Sequence, residues 1–441
     1  MNKEATKRPL IYDLPVISTE PVNGWNVKRL CEFADVIGGA TPDTSKSEFW
    51  QPAEIPWATP TDITACEGTT ISSTARSISK LGLASCSTNL IPENSCLMTS
   101  RATVGECRMN TVPMTTNQGF ASLVPKSETD PYFLFYLAAH IKPAVVRLAS
   151  GTTFAEVSRT EIRRIRCRVP LLQEQKAIGA LLLKAESAIA SKELELTAAQ
   201  RLKTALMQQL FTRGIPGRHA KWQKLRVFRN DYEIPSAWEA ARLKSCISLI
   251  EYGTNEPGNS EKLGLPVVAI PQVISPRFTL ADCDYAQLSD NEAAALRLAP
   301  DDVLLIRTNG NSEYIGKSTV IGDEADRQHI VYASYLIRVR SNPDRLLGRY
   351  LNYFLHSPLG KRQTRATANT SAGNHNLGIR AIKQFWIPRP EKDEQKEIVG
   401  LLDSVEDLLD SLSVELEKIQ CLKTSLLQNL LTGKVRVKME N

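Results

Sequence analysis

Many of the features that identify familiar classes of protein are scarce or missing in this sequence. It has only five histidines, and its nine cysteines are scattered without a CxxC or another paired spacing. Neither a metal centre nor a disulfide framework is therefore predicted. No window approaches the roughly 18 to 20 apolar residues of a membrane span, and the first residues have neither the apolar core nor the cleavage site of a signal peptide. We expect a cytoplasmic protein that makes no contact with membranes.

Recognisable catalytic motifs are missing as well. The chain has no GxGxxG or Walker glycine loop, no HExxH zinc motif and no GxSxG elbow. The tripeptide EQK at Glu174 and Glu394 has the ExK spacing of some nucleases, but no acidic pair is identifiable upstream of it. A glutamate there is better explained by the favourable interaction of an acid with a helix N-terminus. We expect a protein that is not an enzyme, with no catalytic residue, metal or cofactor on this chain.

The composition that is present is that of an ordinary globular protein. Of the 441 residues, 42% are hydrophobic and 23% are charged, which is enough for two or three domains with proper cores. The formal net charge of +6 permits a polyanionic partner. Because that charge is spread over the whole chain, the positions of basic clusters are better evidence for a polyanionic partner than the net charge.

One long segment occurs twice. Residues 174–212 contain no proline, so nothing in them interrupts a single helix, which would be about 60 Å long. Residues 394–432 align with them without a gap at a constant offset of 220, and about half of the positions are identical. The chain therefore contains two related helical rods.

Each rod shows a heptad pattern, in which apolar residues alternate steps of three and four. Lys192, Lys203 and Lys423 fill the remaining places as polar residues that set the register. Two matched seams in one chain predict that the rods pair with each other, although each could instead pack on its own lobe or on another molecule. The short linker after the first rod favours an antiparallel pair over a parallel one. The predicted seam comprises Ile178, Leu182, Ala185, Ile189, Leu196, Ala199, Leu206 and Leu210 in the first rod, and Ile398, Leu402, Val405, Leu409, Leu412, Leu416, Ile419, Leu426 and Leu430 in the second.

The repeat extends to the lobes that precede the rods. Trp25 recurs as Trp238 at an offset of 213, and short β-rich runs alternate with helical ones in both lobes. The predicted fold class is α+β, with two globular α/β lobes joined by two long antiparallel helices that form a coiled coil, and with an internal pseudo-two-fold repeat. The predicted segments are an N-terminal segment 1–24, lobe 25–170, rod 171–213, linker 214–233, lobe 234–388, rod 389–432 and tail 433–441.

Positive charge and polar loops mark the candidate DNA contacts. The basic runs at 159–168 and 360–369 are predicted to occupy corresponding places in the two lobes, beside loops rich in hydroxyl and amide groups. Arg and Lys neutralise phosphates, and Arg, Asn and Thr can read base edges. For Arg101 and Arg307 a buried salt bridge is the alternative. The candidate DNA-binding residues are Arg76, Lys80, Arg101, Gly151, Thr152, Thr153, Arg159, Arg163, Arg164, Arg307, Lys361, Arg362, Arg365, Asn369, Asn374 and Asn376.

Two related heads on paired rods match the two-fold symmetry of duplex DNA. Rods of this length limit the separation of the heads to roughly 17 base pairs. We therefore predict that the two lobes read two dissimilar half-sites. Two alternatives remain open: a coiled-coil scaffold whose lobes bind proteins, and a DNA-binding regulator that dimerises through the rods.

Motifs along nearly the whole chain connect it to a known family. They are the lobe starts at Trp25 and Trp238, the lobe ends RVPLLQEQKAI and WIPRPEKDEQKEI, the helix ends LKTALMQQLFT and LKTSLLQNLLTGK, and TTNQGFASLVP in the first lobe. In these motifs, and in the order head, rod, head, rod, the chain resembles the specificity (S) subunits of type I restriction-modification systems.

The resemblance implies two target recognition domains, each of which reads one half of a bipartite double-stranded DNA site. It also implies that the rods dock two methyltransferase (M) subunits, and that restriction/translocase (R) subunits join the complex through them. S-adenosylmethionine would then bind to the methyltransferase subunits, which methylate adenine, and this chain would have no active site itself.

Overall fold

The structure is a computed structural model that describes residues 22–149, 155–275, 278–371 and 374–437. The chain divides into two compact units. Unit 1 combines residues 1–193 with residues 415–441, and unit 2 consists of residues 194–414. Each unit contains one lobe and one part of each long helix.

Lobe 1, the globular part of unit 1, mixes short strands with short helices. Its strands are β1 (Asn26–Arg29), β2 (Ala34–Ile37), β3 (Ile55–Ala58), β4 (Thr70–Ile71), β5 (Ser77–Ile78), β6 (Cys96–Met98), β7 (Cys107–Asn110), β8 (Thr115–Thr116), β9 (Ser122–Pro125) and β10 (Arg166–Val169). Its helices are α1 (Leu30–Phe33), α2 (Pro60–Ala65), α3 (Lys80–Ser85), α4 (Pro131–His140), α5 (Lys142–Leu148) and α6 (Arg159–Arg164), and the long helix α7 (Leu172–Leu210) follows. A five-stranded sheet in the order β2-β9-β6-β7-β4 packs against α4 in the main core.

Lobe 2, the globular part of unit 2, has the same mixed character. Its strands are β11 (Trp222–Val227), β12 (Asn230–Pro235), β13 (Glu239–Arg242), β14 (Ile247–Tyr252), β15 (Leu265–Val268), β16 (Asp284–Ala286), β17 (Val303–Ile306), β18 (Thr308–Asn309), β19 (Ser318–Val320), β20 (Val331–Tyr332), β21 (Leu336–Ser341), β22 (Asn369–Ser371), β23 (Asn374–Asn376) and β24 (Trp386–Arg389). Its helices are α8 (Ile270–Ile274), α9 (Asp290–Leu296), α10 (Glu324–Arg327), α11 (Gly348–His356), α12 (Pro358–Thr367) and α13 (Ile379–Lys383), followed by the long helix α14 (Lys392–Leu430).

The two lobes repeat one topology. The sheet β14-β21-β17-β19 of lobe 2 has the order of β2-β9-β6-β7 in lobe 1, and the sheet β16-β15-β20 has the order of β5-β3-β8. In both small sheets the last pair, β15 with β20 and β3 with β8, is parallel. The predicted α+β class with an internal repeat is thus confirmed. Segment 214–233, predicted as a linker, contains most of the hairpin formed by β11 and β12; the other predicted boundaries stay predictions.

The long helices α7 and α14 have 39 residues each and are therefore about 58 Å long. In unit 1, Lys192 of α7 pairs with Glu415 of α14 at 2.9 Å, and Glu186 pairs with Lys423. Residue numbers rise along one helix as they fall along the other, so the pairing is antiparallel, as predicted. In unit 2, Lys203 pairs with Glu406. The three lysines that interrupt the apolar seam therefore form ion pairs across the helix pair, and parallel rods are excluded.

The predicted seam residues are buried or half-buried along both helices. In unit 1, Ile178 and Leu182 share a core with Leu430, and that core continues into lobe 1. In unit 2, Leu210 shares a core with Leu402. Each helix pair is thus continuous with the core of its lobe. None of the helices in the described ranges combines the length and the apolar character that a membrane span requires.

The first turn of each long helix is fastened to its lobe by a buried glutamate. The indole nitrogen of Trp25 donates a hydrogen bond to Glu174 at 3.1 Å, and that of Trp238 donates to Glu394 at 2.9 Å. Arg436, which follows α14, forms an ion pair with Glu174 in unit 1. In unit 1 the carboxylate of Glu174, at the start of α7, thus contacts both Trp25 at the lobe start and Arg436 in the segment after α14.

The glutamine that follows each glutamate completes the attachment. Gln175 accepts a hydrogen bond from the backbone of Asp130 at the start of α4, and Gln395 accepts one from the backbone of Leu347 at the start of α11. Both glutamines also donate to backbone carbonyls near their own helix start. The EQK tripeptide therefore has a structural role at each helix N-terminus, consistent with its interpretation as a helix start.

Candidate nucleic-acid interface

A small amide-rich sheet forms at the end of strand β17 in lobe 2. It has the order β18-β23-β22, with Thr308 opposite Asn376. We call this sheet the polar edge of lobe 2. Of the predicted DNA-binding residues, Asn369 begins β22, and Asn374 and Asn376 begin and end β23. Backbone pairing therefore brings together two strands that are almost 70 residues apart in the sequence.

Arg307 stands directly before the polar edge and is held by an aromatic ring. Its guanidinium carbon lies 4.4 Å from the ring centroid of Tyr252, and Nη1 donates to the carbonyl of Ser334 at 3.4 Å. Tyr252 is itself exposed. Stacking on a ring restricts the rotamers of Arg307 while its charge stays near the surface. This preorganisation suits a side chain that binds a phosphate or a base edge.

The equivalent position in lobe 1 is identified by one backbone hydrogen bond in each lobe. The amide of Leu377 donates to the carbonyl of Arg307 at 2.8 Å, and the amide of Val157 donates to the carbonyl of Ser100 at 3.0 Å. Ser100 is therefore the counterpart of Arg307, and the predicted residue Arg101 is the counterpart of Thr308.

Arg101 carries an ion pair at this edge of lobe 1. Its guanidinium lies 2.8 Å from Glu156, and both side chains are about half exposed. The salt bridge is therefore a surface one, not the buried one considered as the alternative to DNA contact. Gly151, Thr152 and Thr153 precede Glu156 and lie outside the described residues.

Arg76 and Lys80 lie elsewhere in lobe 1. The guanidinium of Arg76 is 3.6 Å from a ring centroid of Trp50 and 5.4 Å from one of Trp57, which form a small aromatic core. Lys80 begins α3 and lies 3.5 Å from Glu54. Arg76 is exposed yet held on an aromatic platform formed by Trp50 and Trp57. The sequence did not predict this platform, because the tryptophans are 19 to 26 residues away from Arg76 in the chain.

The arginines of α6 are exposed at the end of lobe 1, and their predicted counterpart in lobe 2 is wrong. Arg163 donates to the carbonyl of Val36 at 3.0 Å, Arg159 packs over Gly38, and Arg164 ends the helix. Helix α6 precedes β10, so its counterpart is α13, which precedes β24. The basic run of lobe 2 instead forms α12, the counterpart of α5. A run of basic residues in the sequence does not show which helix of the folded lobe will contain it.

The basic residues of α12 line a groove of about 1180 Å³ within unit 2. The walls come from α7, α14, β12 at Tyr232, the end of α8, the start of β19, and α11 with α12. Lys361, Arg362 and Arg365 all face it, and so do Lys203 of α7 and Lys317 next to β19. The last two residues were not predicted as part of a site, because they are distant from α12 in the sequence.

The charges of this groove perturb one another. Burial, and then the positive charges of Arg365, Lys203 and Lys317, lower the pKa of Lys361. Burial followed by the nearby lysines lowers the pKa of His356 to about 4, so its imidazole is neutral at pH 7. The neutral ring accepts a hydrogen bond from the backbone of Ser318 at 3.1 Å. The groove is a concave surface of excess positive charge.

A second surface lies on the long helices. Leu181 and Leu202 of α7 are exposed, and so are Leu401 and Leu422 of α14, at the same offset of 220. Leu408 is also exposed, and at 3.6 residues per turn Leu401 and Leu408 lie within about 20° of one another around α14. We call these five leucines the leucine stripe. Exposed apolar residues that recur in register are typical of a protein-binding surface.

The described candidates lie at five places: the polar edge of lobe 2, the equivalent edge of lobe 1 at Arg101, the aromatic platform under Arg76 with Lys80 at the start of α3, helix α6, and the groove. Their contact with DNA stays a prediction. Within the described ranges, no group of three or more His, Cys, Asp or Glu side chains is arranged to hold a metal ion.

These features together define a class of protein in which two related lobes with different polar surfaces are each followed by an equivalent long helix. The sequence model of the family described as "Type I restriction modification DNA specificity domain" matches residues 22–199 and 286–420, more than half of the chain. The chain belongs to this family.

Individual relatives agree with that assignment. The chain is 28% identical over 257 residues to the type I restriction enzyme MjaIX specificity subunit of Methanocaldococcus jannaschii, an alignment that covers 57% of this chain and 58% of that subunit. It is 22% identical over 289 residues to the EcoKI specificity subunit of Escherichia coli K12, covering 66% of this chain and 61% of that subunit. The match thus spans less than two thirds of either relative.

Solved structures share the fold. The S subunit of a type I restriction-modification system from M. genitalium superimposes with a TM-score of 0.54 and 12% identity, covering 96% of this chain and 98% of that one. A chain from a study of complex assembly and conformational transition of the type I R-M system superimposes with a TM-score of 0.57 and 17% identity, covering 94% of this chain and all of that one. At such identities the likeness concerns the fold alone.

Proposed function

We propose that this chain is the DNA-sequence specificity subunit of a type I restriction-modification complex. Lobe 1 reads one half of a bipartite, asymmetric double-stranded DNA site, and lobe 2 reads the other half. The chain supplies recognition, while catalysis belongs to its partners. The observation that carries this proposal is the repeat of one lobe topology with two different polar surfaces, each fastened to an equivalent helix by the same Trp, Glu and Gln.

The difference between the lobes supports two different half-sites. At the equivalent edge, lobe 2 has the stacked Arg307 followed by Thr308, where lobe 1 has Ser100 followed by the ion-paired Arg101. Side chains that donate and accept in different patterns distinguish different base edges in the major groove. The common topology places the two dissimilar surfaces at the same point of each lobe.

The partners in this proposal are two methyltransferase subunits and the restriction/translocase subunits. The leucine stripe supports the first, because equivalent leucines recur in both units: Leu181 and Leu422 in unit 1, Leu401 and Leu202 in unit 2. Two equivalent apolar surfaces fit two copies of one partner. S-adenosylmethionine is held by the methyltransferase subunits in this assembly, and they transfer the methyl group to adenine.

The test is co-expression of the chain with a type I methyltransferase subunit encoded beside it, followed by single-molecule sequencing of host DNA for N6-methyladenine. A split motif is expected whose methylation requires this chain. Exchanging residues 234–388 for the corresponding lobe of a relative is expected to change one half of the motif and leave the other half unaltered. Unchanged or absent methylation, with the chain intact and bound to its partner, would contradict the proposal and favour a scaffold.

A further inference from the structure

The cationic side chains that line the groove in unit 2 outnumber the carboxylates that could neutralise them. Five cationic side chains line it, against two carboxylates, those of Glu406 and Asp410. Glu406 is the partner of Lys203. Arg365 has a contact of 3.8 Å with Glu313, in which both side chains are largely exposed. Such an exposed pair contributes little binding energy and is easily exchanged for another anion.

Lys317 and Lys361 add charge to this groove at close range. The ammonium group of Lys317 lies 4.7 Å from the ring centroid of Tyr314, a contact with a neutral ring that leaves its charge in place. Lys361 experiences the like charges of Arg365, Lys203 and Lys317. Bringing like charges together in a half-buried groove costs folding free energy, which a bound anion would recover.

The donors of the groove also form a row. Gln200, Lys203, Thr204 and Gln208 of α7 all line it. Their spacings of three and four residues place them on one face of the helix, over a length of about 12 Å. The amide groups of Gln200 and Gln208 and the ammonium group of Lys203 are side-chain donors of the kind that bind phosphate oxygens, whereas the hydroxyl of Thr204 donates to the carbonyl of Gln200. A row of such donors suits a linear polyanion better than a single small anion.

Two short chain segments link the groove to the polar edge of lobe 2. Arg365 lies four residues before Asn369, where β22 begins. From β18, which ends at Asn309, the chain passes through Glu313 to Lys317 in the groove wall. Glu313, Lys317 and Arg365 also line a smaller pocket that shares Lys317, Lys361 and Arg365 with the groove. Because these segments are short, a duplex in contact with the polar edge would have neighbouring phosphates within reach of these cations.

We propose that this groove binds the phosphodiester backbone of the DNA next to the half-site read by lobe 2, without reading its sequence. Lys317, Lys361 and Arg365 are the principal phosphate ligands, and the row on α7 makes the long helix itself part of the DNA-binding surface. The inference rests on the proposed function, because it needs duplex DNA on the polar edge.

The experiment measures the salt dependence of binding to a labelled duplex of random sequence, using the full chain in complex with its methyltransferase partner. Replacing both Lys317 and Lys361 with Gln removes two phosphate contacts without breaking an ion pair given above. We expect binding to weaken roughly 10-fold, and the slope of log K against log salt to become less negative by about 1.8. Thr204→Lys, which adds a cation to the row, should make the slope more negative by about 0.9.

The matched control is the double variant Lys224→Gln, Arg226→Gln on β11. It removes the same net charge from exposed side chains of unit 2 that face acids across the hairpin. Its slope is expected to stay at the wild-type value. If the salt slope changes equally in the two double variants, the effect depends only on the net charge of the chain, and the proposal is wrong.

The remaining outcomes separate this inference from the proposed function. If the wild-type complex binds duplex DNA and the Lys317, Lys361 variant has an unchanged slope, the groove does not bind phosphates and the specificity role stands. If the variant instead loses affinity for the methyltransferase subunit, the groove binds an acidic protein surface and the proposal is wrong. A wild-type complex that binds no duplex would refute the proposed function together with this inference.

Discussion

At the scale of single residues, buried side chains connect distant parts of each unit. In unit 2, Glu394 accepts a hydrogen bond from Trp238 and lies 2.8 Å from His219, which follows α7. In unit 1, Glu174 has the equivalent bond from Trp25 and an ion pair with Arg436. The sequence identified these tryptophans and glutamates as repeated, but their contact joins residues about 150 positions apart. Local patterns contain no information about which side chains meet at that range.

His356 provides a prediction about pH. Its pKa is lowered from 6.5 to about 4, so the folded chain holds it neutral while the unfolded chain takes up a proton below about pH 6.5. Stability contributed by the neutral ring is therefore present above pH 6.5 and is lost as the pH falls towards 4. His356→Gln, which keeps an acceptor for the amide of Ser318, is expected to abolish this loss.

The measurement is urea unfolding of both chains near neutral pH and at about pH 5. Wild type should lose on the order of 2 kcal/mol more than His356→Gln between the two conditions, since each unit of pKa difference corresponds to about 1.4 kcal/mol. Carboxylates that titrate in the same range affect both chains equally. Parallel losses in the two chains would show that His356 is protonated in the folded state.

At the scale of elements, the antiparallel helix pair combines an apolar seam with ion pairs across it. Heptad spacing was sufficient to identify the seam, because it is a property of one helix. The glutamate partners of the lysines were not identified, since they belong to the other helix and depend on the direction in which it runs. Glu186 and Glu406 occupy equivalent positions in the repeat and meet Lys423 and Lys203, respectively. The same glutamate–lysine ion pair between α7 and α14 therefore occurs once in each unit.

Reversing one of these charges is expected to destabilise the helix pair. Lys423→Glu places two carboxylates together at a site where both partners are only 22% exposed, and should lower the unfolding free energy by about 1 to 2 kcal/mol. Adding Glu186→Lys restores the opposite charges and should recover most of the loss in a double-mutant cycle. The measurement is denaturant unfolding of wild type, Lys423→Glu, Glu186→Lys and the double variant.

The control for this cycle is Lys396→Glu. Lys396 lies on the same helix and pairs with Asp393 on the exposed surface, so its reversal should cost less than about 0.5 kcal/mol. A double variant no more stable than Lys423→Glu alone would mean that the two residues do not interact in solution.

At the scale of the whole molecule, the leucine stripe leaves equivalent apolar residues uncovered in both units. Under the proposed function, one methyltransferase subunit binds each set of leucines and buries it. Replacing Leu202 and Leu401 with Gln changes the set in unit 2 and leaves Leu181 and Leu422 in unit 1 intact. Since burying a leucine contributes roughly 1.5 to 3 kcal/mol, the affinity of one of two copies should fall at least 10-fold.

Native mass spectrometry of the complex at falling concentration measures this effect. The variant should lose one methyltransferase copy at a concentration where wild type retains two. Leu194→Gln is the control, because Leu194 is 73% exposed on α7 but lies outside the stripe around the helix. Retention of both copies by the Leu202, Leu401 variant would place the docking surface elsewhere.

The sequence by itself determined the repeat, the two long helices, their seam and the mixed α+β character of the lobes, because these follow from short-range periodicity and from comparison of the chain with itself. Only the tertiary structure decided that Ser100 is the counterpart of Arg307, that the two basic runs lie on different helices, and that Lys203 and Lys317 join Lys361 in one groove. Each of these depends on strand pairing or on packing between segments far apart in the chain. Such contacts are stabilised by interactions between residues that are distant in the sequence, and a local sequence pattern does not show which of these residues will meet.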